Sequence, residues 1–203
     1  RVGNYKKAHD SFVAAVKVDS AYMKREGVQE VDNWNYIHNI NYLINNCVHD
    51  GRHNEALYYA EKLKNMKVDR ARKEIYDGTF FNQGTLAPAK MEIAFGNWNK
   101  AITQLEKVMN TDSAYSFASM EFKNCLTLFA KGIEALDKNN VGDAIQYSNN
   151  LDAILWRNEK QSGKDSTLDQ NFGRFSWGYQ NTLNTASLEL QGYIKSEQGN
   201  YEQ

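Results

Sequence analysis

His49 and His53 stand four residues apart, the spacing that lets two imidazoles on one helix share a metal ion. Asp50-Gly51 lies between them and should break that helix, so no metal is expected there. His38, Asn41, Asn45 and His49 recur at three- and four-residue intervals and would make one polar stripe along a helix. An Asn amide both donates and accepts, so such a stripe can hold a peptide backbone; the same stripe would also serve as the plain solvated face of an amphipathic helix. Phe172, Phe175, Trp177 and Tyr179, with Arg174, form an aromatic cluster. It could line a ligand cleft through stacking and cation–π contacts, or anchor an insertion to the core. Cys47 and Cys125 fall on apolar faces of separate expected helices, with no Cys or His at metal-ligand spacing, and read as small buried hydrophobes. There is no Gly-rich phosphate loop, His-Glu-x-x-His, Cys-x-x-Cys or Gly-x-Ser-x-Gly. Catalytic groups gathered from distant helices would leave no such local trace, and the nearest approach to one is His38 with Asn39 or Asn41.

The elements that must position these residues are punctuated by a recurring phrase. Gly-Asn-aromatic occurs at Gly3-Asn4-Tyr5, Gly96-Asn97-Trp98 and Gly199-Asn200-Tyr201, and related copies are Gly51-Arg52-His53 and Asn139-Asn140-Val141. A residue tolerant of positive φ makes the turn, the next helix opens, and a small Ala follows at Ala8, Ala56, Ala101 and Ala144, where a neighbouring helix must approach closely. A leucine at Ala8 or Ala101 should therefore force helices apart. Apolar periodicity predicts a helix over 5–18 and a connector over 21–31. A helix capped by Asp32 or Asn33 follows, with Ile37, Ile40, Leu43, Ile44 and Cys47 inward, and then its partner over 54–66. A short helix over 68–76 precedes a loop over 78–84 that tucks Phe80 and Phe81 against the core, and Pro88 opens the next helix. Asp112 or Ser113 should cap a long helix reaching Asp137, with Phe122, Cys125, Leu126, Phe129, Ile133 and Leu136 inward and Gly132 at a close crossing. Polar composition over 160–169 suggests a mobile loop, and the last helix is expected over 182–197.

Gly3, Tyr5, Ala8, Phe12 and Ala15 fill, position for position, the second-helix pattern of tetratricopeptide repeats, with Asp19 where that family usually has Asp or Asn. The chain thus resembles that superfamily, with degenerate later copies at intervals longer than the ideal period of about 34 residues. The run Trp34-Asn35-Tyr36-Ile37-His38-Asn39 leading to Gly51-Arg52-His53-Asn54-Glu55-Ala56-Leu57 is similar to a set of bacterial repeat proteins with aromatic-x-His-Asn in one helix. The resemblance implies an all-α fold, a right-handed α-α superhelix (solenoid) of helix-turn-helix units forming one domain over 1–203. It also implies that the stripe at His38, Asn41, Asn45 and His49 faces a concave groove. The rival is a structural clasp in which His38 and Asn39 are bonded to the connector at 21–31.

Composition narrows the partners. The 24 basic and 25 acidic residues give a net charge of -1 with no run of like charges, which argues against nucleic acid or an anionic membrane surface. No apolar run approaches the ~20 residues needed to insert in a bilayer. Both ends fall within a repeat unit, so a longer native chain is expected. Any signal peptide would lie outside these residues, leaving cytoplasmic and exported locations open, and the cut repeats could self-associate through Phe12, Val13 and Val16 or Leu190 and Ile194. The functional expectation is a non-enzymatic scaffold that binds a protein or peptide and needs no cofactor. The alternative is a small-molecule or sugar-binding module using the groove and the cluster at 172–179; an enzyme ranks last.

Overall fold

The computed structural model describes residues 3–69, 71–72, 74–109, 115–162 and 177–199. The protein is all-α: among these residues there are eight α-helices, one 3-10 turn, one π-helical segment and no strand. It divides into two compact units, Arg1–Asn97 and Trp98–Gln203.

In the first unit, α1 (Tyr5–Glu26) packs on α2 (Trp34–His49), α2 on α3 (His53–Lys64), and α3 on α4 (Ala87–Ala94) and the π-helical Glu74–Thr85. α1 is longer than the sequence suggests. Helix continues through the expected connector to Glu26, where Gly27 adopts the left-handed conformation, and only Glu30–Asp32 forms a separate 3-10 turn. Met23, buried in that added stretch, supplies the apolar contact that holds the extra turns down. α2 matches its prediction: Asn33 accepts from the Tyr36 N–H at 3.2 Å, and Ile37, Ile40, Leu43, Ile44 and Cys47 are all buried. The expected loop at 78–84 is instead part of the π helix. Phe80 and Phe81 are buried as anticipated, because Gly84 has no side chain where the Phe80 ring lies; an added Cβ would meet that ring at 2.7 Å. Pro88 occupies the first turn of α4.

The recurring phrase has one backbone geometry. Gly3, Gly51, Gly96, Asn139 and Gly199 all have positive φ, and Asn139 is the only non-glycine described residue that does. At three of them a Schellman turn closes one helix: Arg52 N–H bonds Cys47 C=O at 2.8 Å, Asn97 N–H bonds Glu92 C=O at 2.9 Å and Asn140 N–H bonds Ala135 C=O at 2.8 Å. The next helix begins at once, at His53, Trp98 or Val141. The following alanines Ala56, Ala101 and Ala144 are fully buried, whereas Ala8 is half-buried. An added Cβ at Gly96 would touch nothing within 4 Å, so Gly96→Ala should cost only the left-handed backbone strain, about 1–2 kcal/mol. Gly96→Asn should cost less, since Asn tolerates that conformation. Urea midpoints of the two variants check this, and an unshifted Gly96→Ala midpoint would contradict the turn.

In the second unit, α6 (Phe117–Asp137) packs against α5 (Trp98–Glu106), α7 (Val141–Ser162) and α8 (Trp177–Glu197), and α7 packs on α8. The cap of α6 is Ser116, whose hydroxyl accepts from Ser119 N–H, and not Asp112 or Ser113. Phe122, Cys125, Leu126, Phe129 and Ile133 are buried as predicted, with Leu136 half-buried. Gly132 does allow a close crossing, since an added Cβ would lie 2.6 Å from a Leu190 methyl of α8. α7 runs on to Ser162, past Lys160, so the expected mobile loop does not begin there; its remainder, 163–169, lies outside the described residues. α8 opens at Trp177, earlier than the periodicity implied, with Leu183, Ala186, Ser187, Leu190 and Ile194 buried. Of the residues expected at the cut ends, Val16, Leu190 and Ile194 are buried, while Phe12 and Val13 are half-buried.

Candidate functional site

With its apolar stripe inward, α2 turns a mixed polar and aromatic face outward. The His38 ring stacks on Trp34, with centroids 4.3 Å apart, and meets the edge of Tyr42 at 4.3 Å. Tyr42 in turn stacks on Phe12 of α1 at 5.5 Å. The result is a continuous row of rings in which Trp34 is 59% and Tyr42 45% exposed. Helical spacing accounts for it, because residues 34, 38 and 42 are successive i, i+4 neighbours.

The four stripe residues lie along this side of α2 but differ in surroundings. His38 and Asn41 are half-buried, while Asn45 and His49 are exposed. The Asn41 amide donates to Ile37 C=O and to Gln83 Oε1 of the π helix, both at 3.1 Å. Asn45 makes no side-chain hydrogen bond among the described residues, and His49 stacks on Tyr5 with centroids 6.1 Å apart. The clasp to residues 21–31 does not form as expected: His38 and Asn39 are both half-buried, Asn39 donates to Asp19 Oδ2 of α1 at 2.9 Å, and His38 packs against rings. Phe12 and Trp34 enter the sequence reading only as repeat-pattern residues, not together with Tyr42 as one surface, although the spacing of Trp34 and Tyr42 with His38 is there to be read.

A second polar group gathers where α1, α2 and α3 meet. His9 Nε2 lies 2.7 Å from Glu55 Oε1, and His9 Nδ1 lies 3.3 Å from Asp10 Oδ1. Arg52 donates from Nε to Asp50 Oδ2 at 2.6 Å and from Nη1 to Glu55 Oε2 at 3.4 Å. The fully buried Cys47 completes the group; ligand atoms of His9, Cys47 and Glu55 all fall within 4.8 Å of one another. Burial, and then the Glu55 carboxylate, push the Cys47 thiol up to about 11, with Arg52 opposing. The same two causes in the same order raise the Tyr59 hydroxyl above its ordinary value. Linear spacing around Cys47 could not reveal this grouping, because its members come from three helices.

His49 and His53 are not brought together. The helix breaks at Asp50-Gly51 as expected, and His53 turns to Glu92 of α4, with Nε2 3.0 Å from Oε2. Asn97 donates to the same oxygen at 2.7 Å, and Phe95 lies edge-on to the His53 ring, so the buried Glu92 carboxylate is held by two partners. Of the 172–179 cluster, Phe172, Arg174 and Phe175 lie outside the described residues, and Trp177 opens α8. Tyr179 stacks on the buried Phe122 of α6 at 3.9 Å and 12°, the geometry of an anchor. The Cys125 thiol, also fully buried, is pushed up to about 12 by burial and then by Glu121.

Comparison with protein families, curated proteins and solved structures finds no match. No helix among the described residues is long and apolar enough to cross a membrane.

Proposed function

We propose that the chain is a non-enzymatic scaffold of the tetratricopeptide-like helical-repeat kind, a solenoid of helix-turn-helix units, and that it binds a peptide or protein segment on the outer face of α2. The repeat assignment is supported by the five left-handed turn residues at the recurring phrase and by the buried alanine five residues after three of them. The binding assignment rests on one observation, the partly exposed row Trp34, His38, Tyr42 and Phe12. Trp and Tyr dominate binding hot spots because they offer large, rigid contact area at low entropic cost, and a row already stacked on itself loses little further freedom on binding. Asn45 and His49, exposed farther along the helix, supply hydrogen-bonding groups beside that apolar contact, the pairing an extended peptide requires. The half-buried Asn41, partly committed to Gln83, defines the edge of the surface.

An enzyme centred on His38 is a weaker reading, because that ring contacts aromatic faces and no hydrogen-bonding partner among the described residues, whereas a general base must be oriented by one. Small-molecule or sugar binding draws on the same exposed Trp34 face, since a pyranose ring also stacks on indole.

Panning a displayed random-peptide library against the protein, with a glycan array in parallel, tests the proposal. Enriched peptides are expected to lose binding to Trp34→Ala and to the Asn41→Ala/Asn45→Ala double variant, both retaining wild-type helicity by circular dichroism. Peptide binding that survives Trp34→Ala would sink the α2 surface, and glycan binding without peptide binding would transfer the function to sugars.

A further inference from the structure

The geometry points to a transition-metal site, for a divalent cation of the zinc class, built by His9 of α1, Cys47 of α2 and Glu55 of α3. Imidazole, thiolate and carboxylate are the three side-chain donors that tetrahedral zinc accepts, and three protein ligands leave a fourth position for water. The set is too soft for calcium or magnesium, which require oxygen donors throughout. The donor atoms already lie within 4.8 Å of one another. Bond lengths of about 2.0 Å to nitrogen and oxygen and about 2.3 Å to sulfur place these tetrahedral ligands roughly 3.3–3.5 Å apart. The 2.7 Å contact between His9 and Glu55 therefore opens slightly when a cation replaces its hydrogen bond, and the thiol draws closer.

The surroundings match such a site in three respects. Asp10 Oδ1, 3.3 Å from His9 Nδ1, takes the place of the outer carboxylate that fixes the tautomer of a metal-bound imidazole. Arg52, tied to Asp50 at 2.6 Å, reaches Glu55 Oε2 and orients that carboxylate, while its own charge is matched by Asp50. Exposure is graded: Cys47 is fully buried, the His9 side chain is 13% exposed and the Glu55 side chain 33%. The soft donor thus forms a dry wall, and the open position faces water beside the carboxylate.

The charges balance as well. Binding a dication displaces the thiol proton of Cys47 to solvent, together with the proton between His9 and Glu55 if His9 carries two. Cation, thiolate and carboxylate then sum to zero.

The test is titration of the reduced, tag-free protein with cobalt(II), read by its thiolate-to-metal charge-transfer band in the near ultraviolet, followed by displacement with zinc. One equivalent is expected to bind, and zinc should raise the thermal midpoint. Asp10→Asn should weaken binding about tenfold, as loss of an outer partner does, and His9→Gln, Cys47→Ser and Glu55→Gln should weaken it further. Cys125→Ala should leave the band intact. Glu55→Gln retains an acceptor for His9, so it reports on the metal even where Cys47→Ser perturbs packing; circular dichroism of each variant separates folding from binding. Absence of the band in the wild type, its survival in His9→Gln or Glu55→Gln, or its loss in Cys125→Ala would overturn the proposal.

Discussion

Replacing Phe122 by Ala is expected to destabilise the second unit by about 3–5 kcal/mol. Phe122 is 1% exposed near the start of α6, the helix against which α5, α7 and α8 all pack, so the vacated volume has no solvent route by which to relax. The Tyr179 ring at 3.9 Å also loses its stacking partner, a contribution of about 0.5–1.5 kcal/mol beyond area alone. Phe122→Leu, which keeps most of the volume, should cost clearly less. Urea unfolding followed by near-ultraviolet circular dichroism measures the difference, and an unchanged midpoint in Phe122→Ala would mean that this ring does not lie in the core.

Leu43→Ala should cost about 2–5 kcal/mol in the first unit, while Asn45→Ala, two residues along the same helix, should stay within about 0.5 kcal/mol of wild type. Leu43 is fully buried on α2, a helix that packs on α1 and α3, and Asn45 is exposed. The contrast is a direct reading of which way α2 faces, and hence of whether Trp34, His38 and Tyr42 are presented to a partner. Comparable losses from both replacements, measured by thermal or urea melts, would mean that α2 is rotated about its axis and that the proposed binding surface is misplaced.

These two experiments probe features of different origin. The inward face of α2 is legible in the residue pattern alone, because a stripe at Ile37, Ile40, Leu43, Ile44 and Cys47 has only one helical side on which to fall. The turns are legible for a similarly local reason. Positive φ is inexpensive for Gly and tolerable for Asn, so Gly51, Gly96 and Asn139 mark helix ends whatever surrounds them. Pro88 at the first turn of α4 belongs to the same class of signal.

The departures from expectation arise where a distant element determines the outcome. α1 continues to Glu26 because Met23 finds a buried place, which local propensity does not encode. Residues 78–84 join a π helix in which the Phe80 ring lies over Gly84, although their glycines read as a loop. Tyr179 agrees with the anchor reading of its cluster, but its partner Phe122, from a helix far earlier in the chain, could not be named from sequence.

The sequence by itself determined the all-α class, the helix breaks at Gly51, Gly96 and Asn139 and the side of α2 that is buried. Each depends on backbone sterics or apolar periodicity within about two turns of chain. Only the tertiary structure decided that His9, Cys47 and Glu55 meet, that His53 pairs with Glu92 rather than His49, and that Phe12 extends the aromatic row of α2. Those meetings depend on how helix faces pack against one another, and side chains from separate helices carry no mark of their partner in linear spacing.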